Sequence, residues 1–216
     1  MSNTYSVQDV WAAAAAAQRI NGGYFKGTTP PDAENGTAAR LRNRDLMQEL
    51  LDEPGRITEA DRAAGESVCS FIRNDLTFRA LKGRLTDFDQ AASRCIAVED
   101  QFDAAKHRYE LAVIASLPAS VARSQARDTA ETRLRWAKGG LIGKIGDRIT
   151  AQVEIVSAVF SQNYGCWFLR GVTDQDQAVM FSYRQGVDAG QWLTIRGAVK
   201  AHRDHGMTQL NRVKVL

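Results

Sequence analysis

The chain has 216 residues, 44% of them hydrophobic and 25% charged, with a formal net charge of +3. That balance is ordinary for a globular protein with a real core, in one large domain or two small ones, and it excludes a polycation. Cys69, Cys95 and Cys166 are widely spaced and form no Cys-x-x-Cys pair, so neither a disulfide framework nor a zinc knuckle is expected.

Ser6 and Asp9 stand at capping-box spacing, and the alanine run after them predicts a short helix that stops at Asn21-Gly22-Gly23. An acid precedes the run and no basic segment does, so it reads as a helix and not as a targeting signal. No apolar stretch approaches the roughly 20 residues that a membrane helix needs, and a cytoplasmic protein of a bacterium or infected cell is expected. Lys26 to Thr37 gathers Pro30-Pro31, glycines and small polar residues, so residues 1–37 are expected to form an N-terminal helix and its tether.

Residues 38–140 are predicted to be a helical domain of four or five helices. Apolar residues recur at three and four, as in Leu41, Leu46, Leu50 and Leu51, or Val68, Phe71 and Ile72. Thr58 with Asp61 and Thr86 with Asp89 repeat the capping-box spacing, and Pro54-Gly55 and Leu117-Pro118 mark helix ends. The last helix carries Arg123, Arg127, Arg133, Arg135 and Lys138. A solvated face explains them, and a helix that touches a phosphate backbone is the alternative.

After Gly139-Gly140 the period changes. Arg148 to Phe160 alternates, Tyr164 to Val172 and Ala178 to Arg184 follow across a TDQDQ turn, and Trp192 to Ala201 and Met207 to Val215 complete five predicted strands. Residues 141–216 therefore read as a compact closed sheet. They hold nine Lys or Arg against six acids, which is the whole net excess of the chain. A local excess of this kind favours a polyanionic partner.

The phrase GQWLTIRGAVK, the aromatic second strand with its Asp turn and the closing RVKV resemble an OB-fold, the oligonucleotide-binding barrel. The KAHRDHG stretch between the last two strands is similar to OB-type domains of bacteriophage proteins. The expected class is α+β: an all-helical N-terminal region followed by a C-terminal five-stranded OB-fold barrel. The resemblance implies single-stranded nucleic acid as ligand, DNA ahead of RNA, in replication or recombination.

On the fourth strand Leu193, Ile195 and Val199 share the core side, so Arg196 and Lys200 point outward. Trp192 shares that parity and is either a stacking platform or a plug of the barrel end. The second and third strands leave core and surface open: Trp167 or Phe168, and Phe181 or Met180, can face out. The expected nucleic-acid-binding set is Trp167, Arg170, Phe181, Trp192, Arg196, Lys200, His202, Arg203, His205, Arg212 and Lys214, with Trp167, Phe181 and Trp192 as stackers and the cations on phosphates.

No catalytic residue, metal or cofactor is expected. GLIGKIGD lacks the phosphate-loop spacing, no serine or cysteine sits in a nucleophile motif, and two histidines three apart in a basic loop make a poor metal site. The alternative reading is an accessory subunit whose barrel and N-terminal helix dock on a replication or transcription enzyme. Self-association is compatible with either reading.

Overall fold

A computed structural model of the protein describes residues 4–30, 39–98 and 100–216. Most of the expected tether, residues 31–37, lies outside the described residues. The chain forms two compact units, Met1–Ser124 and Gln125–Leu216. Among the described residues no helix is long and apolar enough to cross a membrane.

The first unit holds β1 (Thr4–Ser6), α1 (Val7–Asn21), α2 (Asn43–Asp52), α3 (Glu59–Leu81), α4 (Asp87–Ile96), β2 (Gln101–Asp103), α5 (Arg108–Ile114) and the first half of α6 (Leu117–Arg135). Five helices follow α1, in line with the periodicity. The two short strands pair antiparallel and were not anticipated, because three residues are too few to show alternation.

The expectation of a tethered first helix is corrected here. Ala12, Ala13, Ala14, Ala16 and Ala17 are wholly buried, and α1 lies against both α2 and α3 at the centre of the helical core. Alanine suits this place because a Cβ is all that fits between closely crossed helices. A Cβ on Gly65 of α3 would stand 2.6 Å from the backbone carbon of Trp11, so that crossing requires glycine. A helix buried in this way is not a mobile anchor for a partner.

Both later capping boxes form as read. Thr58 accepts from the Asp61 amide, while Asp61 accepts from the Thr58 amide at 2.9 Å, and Thr86 and Asp89 repeat the arrangement. Asp61 also accepts from Arg19 Nε and Nη2, each at 2.8 Å, which ties the end of α1 to the start of α3. The Arg19 guanidinium and the Thr58 donors pull the Asp61 carboxyl down to about 2, against the opposing effect of burial.

The second unit is a closed barrel of β3 (Arg148–Ser161), β4 (Cys166–Thr173), β5 (Ala178–Tyr183), β6 (Trp192–Arg203) and β7 (Met207–Val215) in the order β3-β4-β5-β7-β6. Strand β5 pairs with β7 in parallel and every other pairing is antiparallel. This is the five-stranded barrel expected of an OB-like chain. Its interior is filled by Val153, Ile155, Leu169, Val179, Phe181, Ile195, Val199 and Leu210. Ile142 joins that core from the segment entering β3, and Val187 joins it from the loop after β5.

The C-terminal part of α6 lies on the outside of the barrel, where Leu134 and Ala137 cover Val172, Ala178, Val156 and Met207. Arg133 anchors it by donating to Asp176 at 2.8 Å, and the Gly139 amide donates to the Asp176 carbonyl at 2.8 Å.

Two stability predictions follow from these contacts. Gly65→Val should lower the unfolding free energy by about 1–3 kcal/mol, the usual cost of overpacking a close-packed crossing, as read by chemical denaturation. The Asp61 carboxyl titrates lower when folded than the unfolded value of about 3.9. Its contribution is therefore complete above about pH 4 and lost as the pH falls toward 2. Acid unfolding followed by circular dichroism should show that loss, and Asp61→Asn should flatten the curve over the same interval.

Candidate nucleic-acid interface

Alternation along β6 divides it into two faces. Ile195, Gly197 and Val199 are buried, whereas Trp192, Arg196 and Lys200 are exposed. The neighbouring strands extend the outer face. Arg196 sits directly opposite Thr150 of β3 on one side and Lys214 of β7 on the other, and Arg148 stands two residues from Thr150 on the same outward parity.

Cross-strand partners have Cβ atoms only about 4.5–5.5 Å apart, and like charges so placed repel. None of Arg148, Arg196, Lys200, Arg203, Arg212 or Lys214 has a carboxylate within ion-pair distance among the described residues. The row therefore carries an uncompensated positive charge. It is a place where an anion lowers the energy of the folded chain.

A bulge sharpens the cluster. The register of β6 and β7 shifts between Arg196 and Ala198, and Arg212 stands in the left-handed region at φ 50, conformationally unfavourable for a residue with a Cβ. A second shift, between Val199 and Ala201, accompanies the exposed Lys200. Bulges re-aim side chains out of a regular pleat, and here both fall among cations.

The remaining expected residues divide. Trp192 is 55% exposed, on the outer face with Arg196. Phe181 is 3% exposed inside the barrel, so its expected stacking role is corrected: ring faces packed against core side chains offer nothing to a base. Trp167 is half-buried against the same core and meets Phe160 with ring centres 5.4 Å apart. Arg170 points outward, but its Nη1 donates to Glu131 of α6 at 2.6 Å, so its charge is already matched.

At the end of β6, Arg203 donates to Gln209 Oε1 at 2.9 and 2.6 Å, and in the loop that follows His205 is exposed at φ 63. His202 is half-buried on β6 opposite Thr208, and its Nδ1 is buried with no partner. Among the described residues no three His, Cys, Asp or Glu side chains gather as a metal-ligand cluster.

One cation escaped the sequence reading, and the structure places Phe168, which the sequence left open, on the surface. Arg148 belongs to the cationic row, and its parity with Thr150 and Gln152 was the signal that could have found it. On β4 and the loop before it, Phe168 and Tyr164 form an edge-to-face pair with centres 5.8 Å apart, 41% and 76% exposed, beside Val159 at 58%. Strands in this position and the adjoining loops commonly hold ligand in OB barrels. The α6 segment covers the other part of that surface through Leu134 and Glu131.

No family model, curated protein or solved structure matches the chain. The role of the barrel has to be argued from the chemistry of its surface.

The repulsion across β6 and β7 has a measurable consequence. Lys214→Glu places an acid opposite Arg196 and should raise barrel stability by about 0.2–1 kcal/mol, measured by thermal melting at low salt.

Proposed function

We propose that the barrel is a non-catalytic module that holds single-stranded nucleic acid, DNA in preference to RNA, within phage-type replication or recombination. The observation that carries this reading is the Arg196–Lys214 cross-strand pair, flanked by Arg148 and Arg212, with no carboxylate at ion-pair distance among the described residues. A phosphate backbone supplies the missing negative charge at regular intervals.

The aromatic side chains favour a single strand over a duplex. Trp192 stands four residues before Arg196 on the same strand, roughly 13 Å away along an extended chain. Phe168 and Tyr164 add a second exposed aromatic surface. A duplex keeps its bases stacked on each other, while a single strand has base faces to offer such side chains. Cations in a row with exposed aromatics give affinity without demanding a sequence.

A specific observation supports the docking alternative. Val159, Tyr164 and Phe168 are exposed apolar side chains of the β3–β4 hairpin, with Val159 directly opposite Phe168 and Tyr164 edge-on to it, and such groups also serve protein contacts. The buried position of α1 removes that helix from the docking role, so a replication or transcription enzyme would be met by the barrel alone.

Fluorescence anisotropy with labelled single-stranded DNA, matched duplex and matched RNA across a salt series separates these readings. Sub-micromolar binding to the single strand is expected, with a log–log salt slope reflecting about 0.7 ion per phosphate contacted. The Arg196→Ala, Arg212→Ala, Lys214→Ala triple variant should reduce that slope by about 2 and weaken binding to all sequences alike. A folded triple variant with unchanged affinity would remove the proposed surface. Absence of binding at low salt would favour the docking alternative, and a preference for RNA would change the ligand assigned.

A further inference from the structure

Beside the cationic row lies a cleft of about 580 Å³ with a different character. It is lined by the apolar Ile142 and Ile149 and by the uncharged polar side chains of Thr150, Gln152, Gln175 and Thr194. The turn between β4 and β5 helps to wall it. Backbone contact with the segment before β3 holds that turn in place: a Cβ on Gly139 would stand 2.2 Å from the Gln175 carbonyl oxygen.

Thr173 and Gln177 of the lining spend their side-chain hydrogen bonds within the turn, and the rest of the polar lining is free to serve a ligand. Thr150, Gln152, Gln175 and Thr194 make no side-chain hydrogen bond among the described residues, although nearby Gln177 donates its amide to the Gly139 carbonyl at 3.2 Å. Asp174 is the one charged residue of the lining, and its acid disfavours an anion. Amides and hydroxyls beside apolar side chains suit a neutral, flat, hydrogen-bonding group.

Register connects this cleft to the phosphate row. Thr150 of the lining is the cross-strand neighbour of Arg196, and Thr194 lies two residues from Arg196 on the same face. A nucleotide whose phosphate rests on Arg196 and Lys214 has the cleft within reach of its base. We infer that the cleft takes one unstacked nucleobase and reads its edge through Gln152 and Gln175, so that the barrel prefers one base at one position of an otherwise sequence-tolerant track. The inference rests on the single-strand reading of the barrel and adds selectivity to it.

Side-chain amides present a donor and an acceptor together and can pair bidentately with a base edge. Such pairing discriminates by on the order of tenfold or more. The test is anisotropy with labelled dA15, dC15 and dT15, for the wild-type chain and for Gln152→Leu, Thr194→Val and Gln152→Leu/Gln175→Leu variants, each first shown to melt as wild type does. One homo-oligomer should bind on the order of tenfold tighter than the other two. The double variant should bring the three within about twofold of each other without changing the salt slope. Equal wild-type affinity for all three, or a preference that survives the double variant, overturns the base-reading cleft and leaves the phosphate row standing. Failure of the wild-type chain to bind any of them overturns the single-strand reading and this inference with it. Thr194→Val, which keeps the shape of the cleft but loses a hydroxyl, is expected to weaken the preferred oligomer selectively.

Discussion

Pairing of β6 along both its edges is the constraint on which the second unit depends. Seven residues of β6 are in register with β3, while its other edge takes β7, and this double pairing, with the parallel β5–β7 contact, closes five strands into a barrel. Closure satisfies the backbone donors and acceptors that an open edge would expose. It also forces β6 to keep strict alternation through its first half, with Ile195 inside and Arg196 outside. The same requirement that fills the core thus sets a cation on the outer face. There it meets Lys214, because the register offers it no other neighbour on that side.

Helix α6 changes what the barrel shows to a ligand. Its C-terminal part lays Leu134 over Val172 and Ala178 and matches Arg170 with Glu131, so part of the β4–β5 surface is dry and electrically quiet. Of the cations on the five barrel strands, those left unmatched among the described residues are on β3, β6 and β7. Burial of apolar residues on the outer side of a strand contributes roughly 25 cal/mol for each Å² removed from water, a reason for the helix to stay seated. The price is a smaller share of the surface that OB barrels most often use, with Phe168 and Tyr164 left uncovered at its far end.

The legibility of the sequence followed the number of faces that each element buries. Strands β3 and β6 bury one face, so alternation in the sequence marks both as half-buried and puts Ile195 and Val199 in the core. Strand β4 buries Leu169 in the barrel and Val172 beneath α6, so both of its parities look apolar, and Trp167 could not be told from Phe168. The buried Phe181 was misplaced for a related reason, since β5 is short and carries Met180 on its outer side. Capping boxes at Thr58 and Thr86 were readable because they are local. The central place of α1 was not, since it depends on Gly65 some fifty residues later in the chain.

Charge shows the same division between local and distant causes. Counting Lys and Arg beyond Leu141 revealed a modest excess, yet the count could not show which cations are free. Arg133 and Arg170 are consumed by Asp176, Glu154 and Glu131, partners supplied by the packing of α6. Of the nine cations counted, only Arg170 is matched in this way, and six of the other eight stand on β3, β6 and β7. On the single-strand reading, a strip of cations beside a cleft whose one charged lining residue is Asp174 would hold a backbone in one path and present its bases in one direction, which a uniformly basic surface would not do. On that reading the neutralised arginines would matter to recognition alongside the free ones, because they would mark where a polyanion is not held.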